Sequence, residues 1–270
     1  MNMWRCTLSE RLRILKLLED GKINAEEAAR LLEASSHSEF RGRKRHYKFW
    51  SSFEGIPEII TSAITTSFKN TGAKETLQFP IKERIEFKGI SGALTITGNE
   101  QDMIDIEKDG FAKFKEAGRV LEIKAMSGDV KITAPHTTDF MIKGISGDLK
   151  IYHLDGTIEI ASVSGDIKGE ELSGNLFGDI VSGNVDLDYQ NVKKIQINSK
   201  TCDITLRLDK KIEAELNLET ENANINCDFE LKEEKREHNL LKGIINKPTA
   251  KIEIRNAHGD IAIKKRTSDE

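Results

Sequence analysis

Little in this chain could fill a thick globular core. Aromatic residues make up only 6% of its 270 residues, while Asp, Glu, Lys and Arg make up 32%. That balance suits a thin aliphatic core under a large solvated surface, as in repeat proteins. Cysteines are few, odd in number and far apart (Cys6, Cys202 and Cys227), with no CxxC pair, which excludes a disulfide framework and reads as reduced thiols. No run of 18 apolar residues occurs, so no transmembrane helix is expected. Arg5, Glu10, Arg11, Arg13 and Lys16 interrupt any signal-peptide core. The default location is therefore cytoplasmic, with peripheral membrane contact left open.

The motifs of chemistry are also missing. The six histidines are scattered, with no HExxH and no Cys/His cluster, and no GxSxG elbow, P-loop or dinucleotide fingerprint occurs. No catalytic residue, metal ligand or cofactor is assigned, and an enzyme is not expected. A carbohydrate-active solenoid with carboxylates along a groove remains a lesser alternative.

What is present begins with a short helical hairpin over 1–35. Thr7 and Glu10 form a capping box, Leu8, Leu12, Leu15 and Leu18 recur at helical spacing, and Gly21 suits the left-handed position after a helix. Asn24 and Glu27 repeat the cap, and Ala28, Leu31 and Leu32 supply a second apolar face. So short a pair cannot bury a core alone and is expected to self-associate, to dock on the rest of the chain or to bind a protein partner. Glu27 to Leu32 resembles the first half of some helix-turn-helix DNA readers. Residues 35–40 offer only Phe40 as an anchor for a recognition helix, so a DNA-binding regulator is the alternative and nucleic acid is not the expected partner.

Charge is unevenly placed: residues 1–72 hold 12 Lys/Arg against 9 Asp/Glu, and 73–270 hold 29 against 36. The linker, 36–75, carries Arg41, Arg43, Lys44, Arg45 and Lys48, followed directly by Phe49, Trp50 and Phe53. Phe49, Phe53, Ile56, Ile60 and Phe68 then recur at spacings that suit an amphipathic helix beginning near Pro57. Two roles stay open for this stretch: a helix capping the end of a solenoid, or a contact with an anionic membrane through its cations and aromatics.

A repeat settles the fold expected for 76–265. Ser127-Gly128-Asp129-Val130, Ser146-Gly147-Asp148-Leu149, Ser164-Gly165-Asp166-Ile167 and Ser182-Gly183-Asn184-Val185 start 19, 18 and 18 residues apart. Thr201-Cys202-Asp203-Ile204 is a variant, and Ser91-Gly92-Ala93-Leu94 and His258-Gly259-Asp260-Ile261 are outlying copies. Aliphatic residues alternate on either side, as in Phe140/Ile142 before and Leu149/Ile151 after, which is strand patterning. The prediction is a mainly β chain: a parallel β-solenoid of about 18 residues per coil and about eight to ten coils, stacked about 4.8 Å apart. The 36-residue gap between Ser91 and Ser127 reads as two coils, and the charged run 230–237 as a solvated inserted loop.

Asp129, Asp148, Asp166, Asn184 and Asp203 would then form a ladder of turn residues along one edge, each bonding its own backbone. Calcium β-rolls need Gly-Gly-x-Gly-x-Asp every nine residues; here one Gly precedes each Asp once per coil. Lys131, Lys150 and Lys168 follow three of the carboxylates by two residues and offset their mutual repulsion without metal.

This order of parts, the Leu8-to-Leu32 hairpin with its Glu19-Asp20-Gly21-Lys22-Ile23 turn and then the Ser-Gly-Asp repeats, resembles the YvlB/LiaX group of bacterial proteins. Their repeat region belongs to a family of adhesin-like β-strand-repeat domains without assigned function, and the hairpin is similar to SHOCT-like oligomerisation motifs. The resemblance implies a non-catalytic scaffold or binding protein linked to the bacterial cell envelope or to envelope stress sensing. It carries no catalytic residues.

Overall fold

The computed structural model describes residues 74–266. The hairpin expected over 1–35 and the linker helix, with Arg41, Arg43, Lys44, Arg45, Lys48, Phe49, Trp50 and Phe53, lie outside the described residues.

Alternation of aliphatic and polar residues produces fifteen strands among the described residues: β1 (Glu75–Pro80), β2 (Arg84–Gly89), β3 (Leu94–Asn99), β4 (Met103–Ala117), β5 (Val120–Pro135), β6 (Asp139–Ser146), β7 (Leu149–Tyr152), β8 (Asp155–Ser164), β9 (Ile167–Leu208), β10 (Ala214–Thr220), β11 (Ile225–Cys227), β12 (Lys232–Glu237), β13 (Leu240–Ile245), β14 (Ala250–His258) and β15 (Ile261–Lys265). They wind as a parallel β-solenoid. The first wall is formed by β5, β2, β6, β8, the 173–180 and 194–201 segments of β9, β14 and β10, hence eight coils. The second wall starts from the far half of β5 and runs through β3, β7, further segments of β9, β15 and β11. Between the walls lies one continuous aliphatic core, in which Ile85, Ile96, Leu121, Ile123, Ile151, Ile158, Ile195, Ile252 and Ile263 are all fully buried. Each coil shares this core with the coils above and below it, so no single coil is stable alone.

The coils do not stack in sequence order. The coil 84–99 lies between 120–135 and 139–152: Lys88 is in register with both Lys124 and Lys143, and Thr95 with both Lys131 and Lys150. At the other end, β14 and β15 likewise slip between the last coil of β9 and the coil of β10 and β11. Antiparallel strands finish both ends, β4 and then β1 outside β5, β13 and then β12 outside β10.

Two expectations are corrected by this order. The 36 residues between Ser91 and Ser127 hold no intermediate coil; they hold β4, which runs antiparallel along β5 with a bulge between Phe111 and Ala112. The charged run is not a loop, because 232–237 forms the edge strand β12, exposed at every residue. A strand outside the core has no face to bury, and its charges discourage further strands from pairing there.

Candidate functional site

The corner between the walls explains each residue of the repeat. Gly92, Gly128, Gly147, Gly165, Gly183 and Gly259 all have positive φ, between 87° and 129°. A Cβ at Gly147 would collide with the carbonyl oxygen of Gly92, and one at Gly165 with that of Gly147, so the coils touch backbone to backbone. The serine hydroxyl donates to a carbonyl one coil away: Ser91 to Met126 (3.3 Å), Ser146 to Ile90 (3.3 Å) and Ser182 to Val163 (3.2 Å).

The carboxylates of the turns accept hydrogen bonds from the next coil, not from their own turn as anticipated. The backbone N–H of Ala93 donates to Asp129 (2.9 Å), Asp166 to Asp148 (3.1 Å), Asn184 to Asp166 (2.9 Å), Asp260 to Asp203 (2.9 Å) and Asn224 to Asp260 (2.9 Å). Ala93 stands between Asp129 and Asp148 in space and interrupts the file. The lysines expected beside it are interrupted too. Lys150 and Lys168 are register partners, but Thr95 separates Lys131 from Lys150, and Lys168 pairs with Glu170 at 2.6 Å.

Where Cys202 replaces the glycine, a buried asparagine holds the corner. Asn256 Nδ2 donates to the carbonyls of Cys202 (2.7 Å) and Gly259 (2.8 Å), and its Oδ1 accepts from Ser199 Oγ (2.8 Å). Burial pushes the Cys202 thiol up to about 11, with the Ser199 hydrogen bond acting against the shift, so it is protonated and a poor nucleophile at neutral pH. Tyr189 is fully buried, and burial raises its hydroxyl's pKa.

Near the C-terminal end of the second wall, Arg266 reaches Asp188 (3.1 Å) and Glu171 (3.7 Å), His153 Nδ1 lies 2.9 Å from Glu171, and Arg207 pairs with Asp186. Burial pushes the Asp188 carboxyl upward, against the pull of Arg266 and Arg207. These groups neutralise one another and brace neighbouring coils. Among the described residues no group of three His, Cys, Asp or Glu side chains could hold a metal ion, and no helix is long and apolar enough to cross a membrane.

The outer face of the first wall carries a feature missed in the sequence. Lys113 of β4, Lys124, Lys88 and Lys143 are successive register partners on neighbouring strands. The signal was present, since Lys88, Lys124 and Lys143 each precede a Ser-Gly motif by three residues. Their adjacency follows only from the order of the coils, with Lys88 in the middle.

Residues 74–264 of this solenoid, well over half of the chain, match the family model described as Toastrack DUF4097. The chain belongs to the Toastrack family. Residues 9–39 match a SHOCT-like domain. Among solved structures, the Toastrack region is similar to a candidate cell adhesion protein from Clostridium sporogenes, with 18% identity, a TM-score of 0.42, and 72% of this chain and all (100%) of that one covered. It is also similar to a candidate lipid binding protein from Parabacteroides distasonis (13% identity, TM-score 0.30, 73% and 98% covered). A candidate adhesin from Bacteroides fragilis is a third such structure (11% identity, TM-score 0.30, 73% and 100% covered). No curated protein matches the chain.

Proposed function

We propose that this Toastrack protein is a non-catalytic binding scaffold of the bacterial cell envelope, of the YvlB/LiaX kind, held against anionic bilayers by residues 41–53. The observation that carries the scaffold reading is the pair of walls eight coils long, whose outward side chains stand in straight rows at the inter-strand spacing. Repeat proteins use such continuous surfaces to engage partners, and the backbone-to-backbone corner keeps the rows rigid. The SHOCT-like hairpin supplies self-association or a protein contact. The bilayer reading draws on Arg41, Arg43, Lys44, Arg45 and Lys48 beside Phe49, Trp50 and Phe53. Each cation near an anionic surface contributes about 1 kcal/mol that fades with salt, whereas inserted aromatics resist salt.

Liposome co-sedimentation with the full chain separates the two contributions. Substituting Arg43, Lys44 and Arg45 together by Gln is expected to abolish the preference for anionic over neutral lipid, and Trp50→Ala to weaken both. An intact protein that ignores anionic liposomes even at low salt would remove the bilayer contact and leave the scaffold without its link to the envelope.

A further inference from the structure

The coil 250–265 fills a slot between two coils that follow one another in the chain, 194–208 and 214–227. On the first wall, Ile252 and Ile254 of β14 are in register with Ile195 and Ile197 of β9 on one side and with Leu216 and Leu218 of β10 on the other. On the second wall, Ile261 and Ile263 of β15 lie between Ile204 and Leu206 of β9 and Ile225 and Cys227 of β11. We propose that this slot also takes the coil 250–265 of a second copy of the chain, giving a dimer in which the two coils are exchanged. The proposal goes beyond the scaffold reading and does not depend on it.

The contacts of the coil name its occupant. Ile252, Ile254, Ile261 and Ile263 are fully buried in the slot. Asn256 stands in register between Ser199 and Thr220, accepts from Ser199 Oγ (2.8 Å) and donates to the Cys202 carbonyl (2.7 Å). At the corner, the N–H of Asp260 donates to Asp203 (2.9 Å), and the Asp260 carboxylate accepts from the N–H of Asn224 (2.9 Å). An arbitrary apolar strand would leave the Asn256 partners buried and unpaired. The same coil from another copy makes every one of these contacts, so monomer and dimer differ only at the hinge and in the cost of association.

The hinge favours exchange. Residues 246–249 lead from β13 to β14, which flank β10, and Ile245 and Ala250 are both register partners of Ala214. Two inter-strand spacings, about 9.6 Å, separate those ends, whereas five residue steps reach about 17 Å when extended. The slack is taken up in a bend: Asn246 has φ of 56°, and the N–H of Thr249 donates to the Lys247 carbonyl (3.0 Å) around Pro248. All four residues are exposed, and Pro248 biases Lys247 toward extended backbone. Short bent hinges of this kind open into the straight connection that exchange requires. The other inserted coil, 84–99, is tied at both ends, since β1 before it and β4 after it pair with each other outside β5.

The test uses two full-length chains in a Cys6→Ser, Cys202→Ala, Cys227→Ser background, one carrying Gln196→Cys and the other Glu253→Cys. These part-exposed residues are register partners across the slot. The chains are unfolded, mixed, refolded over a range of concentrations, oxidised and separated under denaturing conditions. A mixed disulfide is expected, with the ratio of covalent dimer to monomer rising about tenfold for a tenfold rise in concentration while dimer is the minor form. Glu86→Cys and Met141→Cys on separate chains, register partners beside the coil 84–99, should give only a trace. Removing Lys247 and Pro248 leaves two residues to cross β10 and should raise the yield from the first mixture. A single chain carrying both Gln196→Cys and Glu253→Cys should cross-link within itself at low concentration. Cross-linking there without any mixed disulfide would overturn the proposal, as would equal yields from the two mixtures, which mean unspecific association. A shortened hinge that leaves the chain monomeric and cross-linked within itself would do so too. Failure of the single chain to cross-link would remove the coil from the slot, and the proposal with it.

Discussion

Gly147 and Gly144 lie three residues apart and should answer oppositely to an added methyl group. Gly147 has φ of 129°, and a Cβ there would strike the Gly92 carbonyl. Gly144 lacks the positive φ, and its Cβ would meet no atom within 4 Å; it faces a cavity of about 30 Å³ lined with Phe87, Gly89, Ser162 and Ile167. Gly147→Ala is expected to cost about 2 kcal/mol or more, because both strain and collision oppose it. Gly144→Ala is expected to stabilise by about 0.4–1 kcal/mol through the less flexible unfolded chain and the filled space. Urea titration measures both; a loss at Gly144 matching that at Gly147 would contradict the assigned corner. The glycine of the repeat was legible in the sequence because a recurring tight turn demands it. The partner of each Asp was not, since it belongs to another coil and depends on which coil comes next.

At the scale of elements, the corner that lacks glycine depends on a side chain instead. Asn256 bridges the turns at Cys202 and Gly259 from inside the core, with its amide oxygen held by Ser199. Asn256→Ala would leave two carbonyls and a serine hydroxyl without that partner in a buried place, at a cost of about 2 kcal/mol or more. The loss should appear as a lowered midpoint in urea with an unchanged slope; stability equal to the parent chain would mean that water serves these groups equally well. The core strands could be read from period-two patterning, as with Phe140/Ile142 and Ile252/Ile254. The strand β12 could not, because an edge strand with every residue exposed leaves no apolar period, and Lys232-Glu233-Glu234-Lys235-Arg236-Glu237 looks like any solvated loop. Nor could the antiparallel course of β4, whose alternation is the same in either direction.

For the whole molecule, the order of the coils decides which side chains become neighbours. It places the first and last coils of the chain inside the stack, between other coils, and puts antiparallel strands outside the coils of β5 and β10. It also places Lys88 between Lys124 and Lys143, without which the cationic file would not exist. The spacing of 18 or 19 residues revealed that coils stack but not which ones touch, because a parallel neighbour from a distant part of the chain satisfies the same hydrogen bonds as a sequential one. Disulfide trapping reads the order directly. In a Cys6→Ser, Cys227→Ser background, Thr95→Cys is paired with Lys131→Cys or with Lys150→Cys, and Lys131→Cys is paired with Lys150→Cys. A disulfide needs Cα atoms within about 7 Å, which adjacent strands provide and strands two apart, at about 9.6 Å, do not. Both pairs containing Thr95→Cys should cross-link rapidly under mild oxidation while the third stays reduced. Cross-linking of Lys131→Cys to Lys150→Cys, with Thr95→Cys left reduced, would mean stacking in sequence order, and neither the solenoid described here nor its lysine file would stand.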